Sequence, residues 1–241
     1  MNRWLHFLLG FNLFFLQSYL LRFSFFSYST YFQEWAVLLT LFIFVWTRGF
    51  RATLMSFFRH PILLIFLSLT AVSLIFVPLL DLGEALSTLK FLFFAELLTF
   101  LFLEVYSSED QRWQGLSLLA HGALFFGLFS VFYHLLGYNI QPDYRLSGPL
   151  DSAVYLAFYL APAVLFFALR FFREPFSWKN IVAFLTVGIL LLATRSFGSI
   201  GAVGLSIALF ALFNSEVPLF RSRWFRAVLF VFFVLFSLGL F

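Results

Sequence analysis

Two arginines and a serine are the residues of this chain best suited to bind an anion. Arg145 lies in the polar stretch 137–152, and Arg195 and Ser196 lie together in a short polar segment between two apolar runs. Burying an arginine without a partner is costly, and its planar guanidinium matches the oxygens of a phosphate or carboxylate. The three residues therefore predict a binding site for an anionic ligand.

A purely structural role is the alternative for each arginine. Arg145 has Asp143 and Asp151 nearby in sequence, so an internal ion pair explains it as well as a ligand does. Arg195 has no acidic neighbour in sequence, which favours a functional role. Either side chain can also extend toward lipid headgroups.

Small residues surround Ser196 at the start of the apolar run that follows it. We expect the first backbone N–H groups of that helix to lie near the two arginines and to favour an anion. Glycines in the same run also permit close packing of a neighbouring helix, which for Gly201 and Gly204 is the commoner role. The small residues are Ser196, Gly198, Ser199, Gly201 and Gly204.

The remaining polar residues carry weaker signals. Glu96 lies in the middle of an apolar run, and we expect it to face the interior of a helical bundle, as a ligand-binding or a structural residue. His134 lies close to the Arg145 stretch, where a general base is possible, although His121 and His134 are too far apart around a helix to share a metal. The chain contains no nucleotide-binding, zinc-protease or hydrolase motif. We therefore predict no metal and no cofactor, and no catalytic residue is assigned.

The composition defines the elements that must position these residues. Of 241 residues, 63% are hydrophobic and only 11% are charged, whereas soluble domains have about 25% charged residues. This excludes a water-soluble enzyme, a nucleic-acid-binding module and a disordered protein, and it indicates an integral membrane protein. The absence of cysteine excludes disulfides and thiolate metal sites.

Apolar runs of helical length predict an all-α fold, a polytopic transmembrane bundle that forms a single domain over residues 1–241. Uninterrupted runs such as 61–80 favour helices over the alternating segments of a barrel. The nine predicted spans are 4–21, 33–47, 61–80, 86–106, 114–136, 153–170, 180–194, 199–213 and 227–241.

Two spans, rather than one, are predicted within residues 180–213. One helix over this segment would be about 51 Å long, against a hydrocarbon thickness of about 30 Å. We therefore place a turn at 194–198. The final span reaches Phe241 without a polar end, so we expect the chain to be an incomplete part of a longer protein.

The distribution of basic residues predicts a cytoplasmic N-terminus. With that orientation, eleven of the fifteen lysines and arginines face the cytoplasm, as the positive-inside rule requires. Arg22, Lys90, Arg145 and Arg195 then lie on the outer side. The inner residues are Arg3, Arg48, Arg51, Arg59, Arg112, Arg170, Arg173, Lys179, Arg221, Arg223 and Arg226.

The two arginine-containing segments together resemble the bacterial O-antigen ligase and Wzy-type polymerase superfamily. The similar segments are Arg145-Leu-Ser-Gly-Pro-Leu-Asp-Ser-Ala-Val-Tyr-Leu-Ala-Phe-Tyr-Leu-Ala-Pro162 and, after a basic inner loop, Leu190-Leu-Leu-Ala-Thr-Arg-Ser-Phe-Gly-Ser-Ile-Gly201. Two positions differ from the family pattern: Ser152-Ala153 replaces a frequent Pro-Asn, and Phe197 stands where an arginine often follows the serine.

The resemblance implies a membrane glycosyltransferase of the GT-C type fold in the bacterial cytoplasmic (inner) membrane. Its members transfer a glycan from undecaprenyl diphosphate to a glycan or lipid acceptor at the outer face, with inversion and without a metal. By this resemblance Arg145 and Arg195 contact the lipid-linked diphosphate, and Ser196 is the third residue that we predict to bind substrate. The family's outer loop with a histidine, the source of its base, has no counterpart before Phe241.

Two other classes of function remain open from the residues alone. A transporter or flippase of an anionic lipid or solute would use Glu96 and the interrupted helix pair to line a path. A scaffold subunit without activity is the third possibility.

Overall fold

The fold is predominantly helical. The structure, a computed structural model, describes residues 3–16, 22–25, 28–75, 82–138, 144–150, 152–173 and 177–213. These residues form nine helices and one two-stranded hairpin. The helices are α1 (Arg3–Phe14), α2 (Phe32–Arg48), α3 (Phe50–Phe57), α4 (Pro61–Ile75), α5 (Leu82–Val105), α6 (Glu109–Leu135), α7 (Ala153–Arg173), α8 (Trp178–Ala193) and α9 (Phe197–Phe213).

Some of these helices are suited to cross a membrane. Within the described residues, α6 and α7 are long and apolar enough for a crossing, and α2 with α3 adds a third if this bent pair is one span. Apolar segments in α4, α8 and α9 are shorter. The chain is therefore consistent with a membrane protein, while the count of nine crossings stays a prediction.

Eight of the nine predicted spans overlap a described helix, and 227–241 lies outside the described residues. The predicted turn in 180–213 is confirmed, because α8 ends at Ala193 and α9 begins at Phe197. For the predicted span 4–21, α1 ends at Phe14, and residues 17–21 lie outside the described residues.

A short antiparallel hairpin between α1 and α2 was not predicted. Strand β1 (Arg22–Phe25) pairs with β2 (Tyr28–Tyr31), with Arg22 opposite Tyr31 and Phe25 opposite Tyr28. Strand β1 alternates polar with aromatic residues, a pattern typical of strands, whereas β2 has Ser29 and Thr30 between two tyrosines. The hairpin lies between two predicted spans, where the apolar runs give no information.

The chain divides into two compact units, residues 1–118 and 119–241, with the boundary inside α6. In the second unit, α7 packs against both α8 and α9. Its buried face carries alanines and leucines at helical spacing, including Ala153, Leu156, Ala157 and Leu160. Small side chains on this face allow the helix axes to approach closely.

In the first unit, a buried polar cluster joins α1 to α2. The Asn12 amide donates to Thr40 Oγ1 at 2.8 Å, and the Gln33 amide donates to the Asn12 carbonyl and to Asn12 Oδ1 at 2.9 and 3.1 Å. All three residues are buried. Because an unsatisfied amide inside an apolar bundle costs a few kcal/mol, this cluster fixes how the two helices face each other.

Ion pairs connect α2 and α5 at both ends. Glu34 Oε1 lies 2.9 Å from Lys90 Nζ, and Arg48 pairs with Glu104. Both intervals are fourteen residues, about 21 Å of helix, so the two helices run in the same direction and in register. That direction agrees with alternating crossings, in which the second and fourth spans are parallel.

We expect the Glu34–Lys90 pair to contribute measurable coupling to stability. In a double-mutant cycle of Glu34→Gln and Lys90→Met, each single change should lower the free energy of unfolding, and the double change should cost less than their sum. A coupling of about 1 kcal/mol is expected, because Glu34 is buried while the 31%-exposed Lys90 side chain is partly screened by solvent. Denaturant unfolding of the purified chain in detergent measures it.

A matched cycle of Glu34→Gln with Arg51→Met provides the control, since Arg51 lies beyond the opposite end of α2. The losses of unfolding free energy from these two substitutions should be additive. Additive costs for Glu34 and Lys90 as well would show that the pair does not stabilise the register.

Candidate functional site

The loop that carries Arg145 contacts the end of α8. The Leu146 backbone N–H donates to the Ala193 carbonyl at 3.0 Å. The last carbonyls of a helix lack partners within the helix, so a passing N–H group is a natural partner for Ala193. This hydrogen bond joins the residue after Arg145 to the residue two positions before Arg195.

A glycine lets the same loop lie against α6. Gly148 has a positive φ of 61° and is buried, and a Cβ added there would lie 2.1 Å from Ser130 Oγ. Ser130 is itself buried and donates to the Phe126 carbonyl at 2.9 Å. Only glycine fits this position, both because of its backbone conformation and because of the space.

The loop ends by capping α7. Ser152 Oγ accepts the Val154 N–H at 3.2 Å, the contact typical of a serine at a helix N-cap. The loop is thus attached at Leu146, Gly148 and Ser152, to three different helices of the second unit. Arg145 therefore extends from backbone that is held on several sides.

The turn between α8 and α9 is held by its own hydroxyl groups. Thr194 Oγ1 donates to the Leu191 carbonyl at 2.6 Å and accepts the Ser196 N–H at 3.3 Å. Ser196 Oγ and Ser199 Oγ are 3.1 Å apart. Thr194, Ser196 and Ser199 are all buried, so this turn is a compact polar unit at the start of α9.

Two residues in the left-handed region flank the contact between the loop and the turn. Tyr144 has a φ of 55° and Arg195 a φ of 49°, and they are the non-glycine residues with positive φ in the part of the chain that the structure describes. This conformation costs an L-residue about 1–2 kcal/mol. Glycine is usual where a helix ends in this way, yet the sequence has an arginine there. Such strain is frequent at functional sites.

The structure places the predicted site residues in adjoining segments but in different environments. Arg195 is exposed, Arg145 is half-buried, and Ser196 is buried with its hydroxyl beside that of Ser199. The predicted alternative partners of Arg145, Asp143 and Asp151, lie outside the described residues.

Several secondary expectations differ from the structure. A Cβ added at Gly198 or Gly201 would meet no described atom within 4 Å, so close packing at Gly201 is not found. Glu96 is partly exposed rather than enclosed by the described helices. His134 is half-buried in the last turn of α6, and its Nδ1 has no hydrogen-bond partner among the described residues.

Sequence reasoning missed the residues that hold the loop. Ser130 gave no signal, because a serine in an apolar helix is ordinary. The dipeptide Gly148-Pro149 did indicate a turn, although not its partner on α6. Among the described residues no group of three His, Asp or Glu side chains is arranged to hold a metal ion.

Comparisons with known proteins leave this site to be argued from its own geometry. No protein family model, no curated protein and no solved structure matches the chain.

We expect Gly148→Ala to displace the Arg145 loop. The new methyl group would collide with Ser130 and add the strain of a positive φ, which together should cost more than the roughly 1–2 kcal/mol of the strain alone. The unfolding free energy and the rate of proteolysis within 144–150 measure the change. Gly137→Ala is the matched control, because Gly137 has a φ of 80° and nothing within 4 Å of an added Cβ. Equal effects of the two substitutions would contradict the packing argument.

Proposed function

We propose that this chain is a membrane glycosyltransferase of the O-antigen ligase and polymerase type. In this proposal it binds a glycan linked to undecaprenyl diphosphate at the outer face of the bacterial cytoplasmic membrane, with its N-terminus in the cytoplasm. The acceptor is a second glycan or a lipid. The proposal rests on the resemblance of segments 145–162 and 190–201 to that superfamily, together with the geometry of the same segments.

One observation carries the proposal: the hydrogen bond between Leu146 N–H and the Ala193 carbonyl. The two segments are separated by the whole of α7 and α8 in sequence, yet this contact makes them neighbours. A diphosphate, which has two phosphoryl groups, matches two guanidiniums presented from adjoining backbone.

The expected chemistry follows from the charge on the leaving group. As the glycosidic bond to the diphosphate breaks, negative charge increases on the phosphate oxygen. A guanidinium already in place stabilises that charge more strongly in the transition state than in the ground state. Arg195 is exposed and held by a strained turn, so it is suited to contact the departing oxygen.

The start of α9 adds a second source of positive potential. Helix N-termini present backbone N–H groups and the positive end of the helix dipole to an anion. Ser196 is buried, its hydroxyl lies beside that of Ser199, and its N–H donates to Thr194 Oγ1, so in this proposal it shapes the turn that presents Arg195.

We expect both arginines to be required for binding of the diphosphate. For the purified chain in detergent, Arg195→Ala and Arg145→Ala should each weaken binding of undecaprenyl diphosphate by roughly tenfold to a hundredfold, as expected for a lost charge-assisted hydrogen bond. Binding is measured by titration with the intrinsic tryptophan fluorescence as signal. Arg195→Lys keeps the charge but not the planar guanidinium, so its affinity for the diphosphate should lie between that of the wild type and that of Arg195→Ala.

Two controls separate this effect from unfolding and from general loss of charge. Lys179→Ala, at the opposite end of α8 from Arg195, should leave binding unchanged. Undecaprenol, which has no phosphate, should bind the wild type and the variants equally. In cells, the arginine variants should abolish surface-glycan assembly while the folded protein remains. Normal glycan and normal diphosphate binding in both variants would contradict the proposal.

A lipid-movement assay distinguishes the transporter alternative. A flippase for an anionic lipid should move a labelled lipid diphosphate across vesicle membranes, and Glu96→Gln should slow that movement. We expect no such movement, because Glu96 is partly exposed and does not contribute to an enclosed polar path among the described residues.

A further inference from the structure

Helix α3 leaves the axis of α2 at a sharp angle. The two helices are bent by 112° at a single connecting residue, Gly49, which has a φ of 85°. An added Cβ at Gly49 would meet nothing within 4 Å, so the bend is a backbone feature and not a result of crowding. If α2 stands close to the membrane normal, α3 lies close to the membrane plane.

The polarity of α3 is inverted relative to a helix on a water-soluble protein. Its buried residues are Thr53 and Ser56, and Ser56 hydrogen-bonds to the Glu104 carboxylate, which also pairs with Arg48 and with His60 at 3.0 Å. The side that faces the protein is therefore polar.

The outward side is apolar. The large apolar side chains on this side of α3, and the one that directly follows the helix, are between 45% and 71% exposed. Trp46, one turn before the bend, is 79% exposed, and tryptophan is enriched at the level of lipid headgroups. The exposed apolar residues are Phe50, Leu54, Met55 and Phe58.

Two arginines lie on or beside this apolar surface. Arg51 is on the same side of α3 as Leu54 and Met55, and Arg59 follows the helix directly; both are exposed. No described carboxylate forms an ion pair with either one. If α3 faced water, its apolar side chains would be exposed to solvent. At a lipid interface, acyl chains cover these side chains and lipid phosphates pair with the arginines.

We propose that α3 lies in the membrane interface and that Arg51 and Arg59 bind the phosphates of anionic lipids there. Its apolar side chains are buried about 5–10 Å into the boundary between headgroups and acyl chains, as is usual for interfacial helices. Because the contact between Ser56 and Glu104 holds the polar side of α3 against α5, the helix is an anchor with a fixed depth.

The experiment uses single spin labels in the full chain, which contains no cysteine to interfere. Cysteines replace Leu54 or Met55, and the protein is reconstituted into vesicles of phosphatidylcholine with phosphatidylglycerol. Collision rates with oxygen and with a neutral nickel complex report depth. Ser107, exposed in the turn before α6, is the water-side reference, and Leu69, exposed on α4, is the lipid reference.

Labels at both α3 positions should favour oxygen over nickel, at a depth between those of Ser107 and Leu69. Nickel access equal to that at Ser107 would place α3 in water and overturn the proposal. Protection from both reagents would also overturn it, because a protein surface would then cover the helix.

The arginines are tested in the same labelled proteins. In the labelled protein with both arginines intact, nickel access should be lower in vesicles that contain phosphatidylglycerol than in vesicles of phosphatidylcholine alone. The double substitution of Arg51→Gln and Arg59→Gln should abolish that difference. The double substitution of Arg173→Gln and Lys179→Gln removes the same charge elsewhere in the chain, and the difference in nickel access should remain. A double α3 variant that still responds to phosphatidylglycerol would refute the role of the arginines.

Discussion

The interior of an apolar bundle cannot hydrogen-bond the groups that enter it, and this constraint governs the structure. In the first unit several buried polar side chains are placed beside one another: Asn12 beside Gln33 and Thr40, and Glu34 beside Lys90. Because few polar residues are present, each pairing restricts a helix strongly. Van der Waals packing between apolar helix faces is nearly indifferent to rotation of one helix on another, so the polar pairs define the arrangement.

The same constraint acts on the second unit through its backbone. Helix ends have carbonyls and N–H groups without partners in the helix, and α8 and α9 meet at such ends. The carbonyl of Ala193 accepts from Leu146, and Thr194 uses its hydroxyl to satisfy both sides of the turn. Satisfying the end of α8 thus brings a distant loop to it. The adjoining position of the two arginine segments is a consequence of hydrogen-bonding requirements that hold whether or not a ligand is bound.

The helical class, the location of eight apolar segments and the turn after Ala193 were all predictable from the sequence, because each depends on runs of apolar residues and on length. The β1–β2 hairpin and the 112° bend at Gly49 were not, since both lie between predicted spans, where runs of apolar residues give no information. For the candidate site, residue types pointed to Arg145 and Arg195. The pairing of their loops was beyond the sequence, because neither Leu146 nor Ala193 has a distinctive side chain.

The conformation of Arg195 connects stability to the proposed function. A glycine at that position would end α8 without strain, and its replacement by arginine costs about 1–2 kcal/mol with no compensating apolar burial, since the residue is exposed. Thr194, Ser196 and Ser199 hold the turn so that the strained conformation persists. The backbone of Arg195 is therefore fixed before a ligand arrives, so less backbone entropy is lost on binding. Under the proposed function, such preorganised backbone is what stabilisation of a developing phosphate charge would use.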